Sequence, residues 1–166
     1  MTLAEAAARA DELAGSGDEK ELAQLRMEWA DEVEGAARDA DYRTRAAAYR
    51  AIGQFRFRQK QELLARGLDD ESPACRGSAL ISLELLSRDH PGVANAQRAL
   101  LHRMIASDEE NIAVRRLAVM CLKNGSAQQD TITLLRGLAE DDELDGDLRR
   151  SCGKVAELLR KKSPKR

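Results

Sequence analysis

Aromatic side chains are scarce: one Trp, two Tyr and two Phe make up 3% of the 166 residues. A core must therefore be assembled from Leu, Ala, Val and Ile, and an apolar content of 43% suffices for one domain of this length. Long apolar runs are missing too. Nothing approaches the roughly 20 residues that cross a bilayer, and the amino terminus is a polar Ala/Glu stretch without a basic-then-apolar signal, so no membrane association and a cytoplasmic location are expected. The three cysteines include no CxxC and no close pair. Such an odd, scattered set makes no disulfide framework and points to a reducing compartment.

Equipment for chemistry is equally thin. His90 lies in the loop Arg88-Asp89-His90-Pro91 and His102 on a helix beside Leu100 and Leu101, neither with a Cys, Ser or second His at relay spacing. Cys75, Cys121 and Cys152 fall at inward-facing positions, where buried thiols fit better than nucleophiles or zinc ligands. Asp141, Glu143, Asp145 and Gly146 echo the start of a calcium loop, but its twelfth position is Cys152 where a bidentate Glu is needed. Gly15-Ser16-Gly17 follows no strand and leads to no Gly-Lys-Ser/Thr, so it is no phosphate loop. No catalytic residue, metal site or cofactor is expected.

Net charge is close to balance at −2, but it is unevenly spread. Lys and Arg stand against Asp and Glu as 4 to 11 over residues 1–40, 7 to 2 over 41–68, 11 to 16 over 69–159 and 5 to 0 over 160–166. Mutual screening between the acidic first segment and the basic second accounts for this pattern as well as a polyanion partner does.

What the chain does contain is an internal repeat. Asp39/Arg45/Ala48, Asp70/Arg76/Ala79, Glu109/Arg115/Ala118 and Glu143/Arg149/Cys152 each set an acid six residues before an arginine and a small residue three after it. Around them runs a helical period. Leu3, Ala6, Ala7, Ala10 and Leu13 form one stripe, preceded by a Thr2/Glu5 capping box. Asp18 caps a second helix with its stripe at Leu22, Leu25, Trp29, Val33 and Ala36. From residue 41 onward, arginine-bearing helices are predicted over 41–53, 73–87, 111–124 and 146–161. They alternate with helices over 57–68, 93–106 and 130–140. No period-two run of β-branched residues suggests a strand.

Two short helices cannot bury their apolar faces alone, so neighbouring pairs must stack and share a core. The residue three places after each arginine is small because helices approach closely there. The arginine is expected to fork a carboxylate in a turn of its own or the adjacent pair, which a guanidinium does better than an ammonium. An acidic turn followed by x-Arg-x-x-Ala, repeated, resembles the HEAT family, and particularly its short bacterial branch related to phycobilisome lyases. The resemblance covers residues 39–160, with arginine intervals of 31, 39 and 34. It implies a single all-α domain: a right-handed α-solenoid of about four armadillo-like helix pairs, with residues 1–38 as a helical cap and 161–166 as a basic tail. The lyase kinship implies handling of a chromophore-bearing protein, although nothing in the chain marks a bilin site.

The resemblance also implies that the second helices line a concave face. Positions one, five and eight after each arginine then form the binding stripe: Ala46, Arg50, Gly53; Gly77, Ile81, Glu84; Arg116, Met120, Lys123; Arg150, Lys154, Glu157. The partner-binding residues read from it are Arg50, Ile81, Arg116, Met120, Lys123, Arg150 and Lys154. The function expected is a non-enzymatic scaffold or adaptor that takes an acidic or amphipathic segment of an unidentified protein partner. The alternative is a nucleic-acid-binding protein using Arg43, Arg50, Arg56, Arg58, Lys60, Arg116, Arg150 and Lys154, with Phe55 and Phe57 among the bases. Oligomeric state is not legible.

Overall fold

Residues 1–163 are described by a computed structural model; Pro164, Lys165 and Arg166 of the expected basic tail lie outside the described residues. The described chain holds ten α-helices and no strand. It divides into two compact units, Met1–Leu86 and Ser87–Arg166, with the break at the end of the fifth helix.

In the first unit, α1 (Leu3–Ser16) starts at the predicted capping box. The Thr2 hydroxyl accepts the Glu5 amide at 3.2 Å while the Thr2 amide donates to the Glu5 carboxylate at 2.7 Å. Gly17 ends the helix at φ +76°, a left-handed conformation that a side chain would strain. Asp18 then caps α2 (Glu19–Ala36) through the Glu21 amide. Of the expected α2 stripe, Leu22 and Val33 are buried while Leu25, Trp29 and Ala36 are half-buried. α1 packs on both α2 and α3 (Tyr42–Gln54), which also pack on each other.

α3 closes on a strained residue. Arg56 has φ +57°, a conformation that costs a non-glycine residue roughly 1–2 kcal/mol. Its guanidinium offsets this by donating to the carbonyls of Gly53 (2.9 Å) and Gln54 (3.2 Å) and by pairing with Asp11 of α1 at 2.8 Å. Arg26 of α2 takes the Phe55 carbonyl at 3.1 Å, so helix-end oxygens that would otherwise lack donors are satisfied. Phe55 and Phe57 stack at 5.1 Å between centroids, and both are buried. A 3₁₀ turn (Arg58–Lys60) leads into α4 (Gln61–Leu68), and α5 (Pro73–Ser87) follows.

The second unit contains α6 (Pro91–Asn95), α7 (Arg98–Ala106), α8 (Ile112–Lys123), α9 (Gln129–Ala139) and α10 (Gly146–Lys162). The single helix expected over 93–106 is broken at Ala96 and Gln97. Asn95 is pinned there: its Oδ1 accepts the Ser126 amide at 2.9 Å, the Ser126 hydroxyl at 3.1 Å and Arg98 Nη2 at 2.9 Å. Lys161 and Lys162, expected in a tail, continue α10. α8 packs on α7 and α10, and α10 packs on α9. Asp141 and Asp145, the calcium-loop echo, serve the backbone instead: Asp141 accepts the Glu143 amide, and Asp145 caps α10 through Leu148.

The small residues Ala48, Ala79, Ala118 and Cys152 are all fully buried, as close helix approach requires. Arg45 forks a carboxylate in the turn of the adjacent pair, as expected, Nε and Nη2 meeting Asp70 at 2.9 and 3.0 Å. Toward its own turn Arg45 Nη1 reaches carbonyls, those of Asp39 (3.1 Å) and Ala40 (3.0 Å). Arg76 repeats this at the carbonyls of Asp70 (2.8 Å) and Glu71 (3.1 Å). Arg115 donates to the Ile105 carbonyl at 2.9 Å, and Arg149 lies 3.6 Å from Asp142 rather than on Glu143. Arg45 and Arg76 thus satisfy carbonyl oxygens of the turn that precedes their own helix, and Arg115 one in the last turn of α7, because a guanidinium has five donors to distribute.

Candidate partner-binding faces of the arginine-bearing helices

In the first unit, α3 and α5 meet along a tight seam. Ser82 of α5 is fully buried; its hydroxyl accepts the Gly53 amide at 2.9 Å and lies 2.5 Å from the Tyr49 carbonyl and 3.0 Å from that of Arg50. A β-carbon on Gly53 would stand 2.7 Å from Ser82 Cα, so Gly53 does not face outward as its place in the stripe suggested. Ile81, next to Ser82, is half-buried, and so is Arg50 on the facing helix. Nη1 of Arg50 is buried without a hydrogen-bond partner.

In the second unit the stripe falls on α8 and α10, which pack side by side. Lys162 Nζ of α10 donates to the Lys123 carbonyl of α8 at 2.7 Å, tying their carboxyl ends together. Arg116, Arg150 and Lys154 are exposed, while Met120 and Lys123 are half-buried. Arg150 is paired with Asp147, and Glu157 with Arg160. Arg116 and Lys154 have no partner among the described residues. Two apolar side chains outside the predicted set join this face: Ile112 is 39% exposed and Leu158 45% exposed. Ile112 stands four residues before Arg116, and Leu158 four after Lys154, so each shares a helical stripe with a base. The adjacent pair Leu158-Leu159 was the available signal, since a helix turns 100° per residue and can bury one of two neighbours; Leu159 is the buried one.

Other clusters are tied up internally. Glu34 accepts Lys60 at 2.7 Å and Arg38 at 2.9 Å, and Lys60 also sits 5.2 Å from the Phe57 ring centre. These contacts hold the Glu34 carboxyl below its usual range, the Lys60 hydrogen bond first. An open recess of about 320 Å³ is lined by Arg38, Asp39, Arg45, Arg66, Asp70 and Glu71, which mix both charges around the Arg45–Asp70 fork. His102 has a hydroxyl partner that sequence spacing did not reveal: its Nε2 lies 2.8 Å from Thr131 Oγ1 on α9. A histidine beside a hydroxyl is half of a nucleophile–base arrangement, but Thr131 is 1% exposed, out of reach of a substrate. Burial pushes the His102 imidazole below its ordinary pKa. All three cysteines are buried, and burial pushes Cys152 up to about 11.

Of the eight bases and two rings of the nucleic-acid alternative, Phe55 and Phe57 are core, while Arg56 and Lys60 are held by Asp11 and Glu34. Compared with known proteins, residues 29–104 match the family model for HEAT repeats. The match begins inside α2, ten residues before the first arginine-linked acid, and reaches into α7. No curated protein and no solved structure matches the chain.

Proposed function

We propose that the chain, whose residues 29–104 match HEAT repeats, is a non-enzymatic interaction module whose arginine-bearing helices dock an acidic, amphipathic segment of a protein partner. HEAT repeats generally mediate protein–protein interaction. The observation that carries the finer reading is the α8–α10 face, where Arg116 and Lys154 have no internal partner and share their stripes with exposed Ile112 and Leu158. Cations left without carboxylates beside exposed apolar side chains suit a partner helix with acids flanking an apolar stripe. No described helix is long and apolar enough to cross a membrane.

The test compares affinity capture from native lysate by the wild type and by Arg116→Glu/Lys154→Glu. The double variant is expected to lose the captured proteins while keeping its melting temperature, because both side chains are exposed and unpaired. Capture unchanged by the charge reversal would refute this face. On a heparin column the wild type is expected in the flow-through; strong retention with a steep salt dependence would indicate nucleic acid instead.

A further inference from the structure

We infer that the α3–α5 seam of the first unit is a carboxylate-binding site in which Arg50 holds a Glu or Asp side chain from an extended segment of the partner. This rests on the interaction reading above and names the ligand chemistry for one of its faces. Arg50 Nη1 is one of two buried side-chain polar atoms without a partner among the described residues; the other, Nη2 of Arg115, belongs to a side chain sealed in the core. Arg50 as a whole is half-buried, so part of its side chain meets solvent, and a turn about the outer torsions of that side chain brings Nη1 to an external acceptor. A buried donor without an acceptor is a standing penalty that an incoming carboxylate removes through two parallel hydrogen bonds.

Other guanidiniums of the same unit have acceptors: Arg45 has Asp70, Arg56 has Asp11 and Arg26 has the Phe55 carbonyl. The outer face of α3 gives Arg50 no acid, since it carries Arg43, Ala46, Ala47, Arg50 and Gln54. Its neighbours are small. Ala46 and Ala47 lie one turn before Arg50, and Gly77 and Ser78 one turn before Ile81 on α5, all exposed or half-buried. A ligand backbone can therefore come close to the seam, with Ile81 offering apolar contact.

The probe is the blocked peptide Gly-Glu-Ala-Leu-Gly, whose Glu and Leu share one face of an extended chain, compared with its Gln-for-Glu counterpart, with binding read from the arginine side-chain Nε–H resonances of the full chain. The Arg50 resonance is expected to move saturably with the Glu peptide and not with the Gln peptide. Arg50→Met should weaken binding about tenfold or more, the loss of one charged hydrogen-bonded contact, with the melting temperature unchanged or raised. An unmoved Arg50 resonance overturns the site; if Arg116 moves instead, the site falls while the interaction reading stands. A melting temperature lowered in Arg50→Met would show an internal role for the guanidinium and also overturn it. Inorganic phosphate displacing the peptide at equal concentration would overturn the carboxylate assignment.

Discussion

Replacing Gly53 by alanine sets two effects of known size against each other. Glycine inside a helix is less favourable than alanine by about 0.8–1 kcal/mol, so on propensity alone the substitution stabilises α3. Against this, the new methyl carbon would stand 2.7 Å from both Cα and Oγ of Ser82 and 2.9 Å from its Cβ. Two of those atoms are backbone or rigidly attached to it, so no rotamer change relieves the overlap and α5 must move away. Overpacking of this kind costs about 1–3 kcal/mol, and separation of the helices also loses the buried Gly53 amide bond to Ser82 Oγ, worth about 1 kcal/mol. The net expectation is a destabilisation of about 1–3 kcal/mol, a fall of roughly 2–12 °C in melting temperature at about 2–4 °C per kcal/mol for a chain of this size. The control is Gly35→Ala on α2, where an added β-carbon meets nothing within 4 Å. That variant should melt at the same temperature or slightly higher. Thermal denaturation followed by circular dichroism at 222 nm measures both, and a Gly53→Ala variant as stable as Gly35→Ala would refute a seam this tight.

Arg115 and pH supply two further tests. Arg115 is 2% exposed with one carbonyl partner, so Arg115→Glu buries an uncompensated carboxylate and should cost about 3–5 kcal/mol in chemical denaturation, whereas Arg115→Met should stay within about 1 kcal/mol of wild type; unchanged stability in Arg115→Glu would refute the burial of this side chain. The Arg45 hydrogen bonds hold the Asp70 carboxyl below its ordinary range, and burial holds His102 below its own. For each group the unfolded chain takes up a proton that the folded chain resists, so the stabilisation is full above the unfolded pKa and is lost as pH falls through the folded one. Melting temperature should therefore decline with acidification first below about pH 6.5, from His102, and again below about pH 3.9, from Asp70. His102→Gln should flatten the first decline and Asp70→Asn the second; a first decline that survives in His102→Gln would reject the assignment.

Much of the fold was legible because its signals are local. The Thr2/Glu5 box, Asp18 and the stripe of Ala6, Ala7, Ala10 and Leu13 each act within a few turns of one helix, so a reader of the sequence meets the whole interaction at once. The repeat of arginine and small residue likewise announced stacked helix pairs, and Ala48, Ala79, Ala118 and Cys152 are indeed buried. The break at Ala96 was not legible, because Asn95 is held by Ser126, thirty-one positions away. Nor was the exposure of Ile112, at the first turn of α8, where the apolar period has not yet fixed a face.

The sequence by itself determined helices, their caps and the residues that must lie inside, because period and capping depend on neighbours along the chain. Tertiary structure alone decided that Arg45 grips the carboxylate of the next turn, that Gly53 is spent on the contact with Ser82, and that Arg50 is left with a buried donor and no acceptor. Those outcomes depend on separations of a few tenths of an ångström between helices far apart in sequence. The order of the residues encodes such distances only through the packing of every side chain between them.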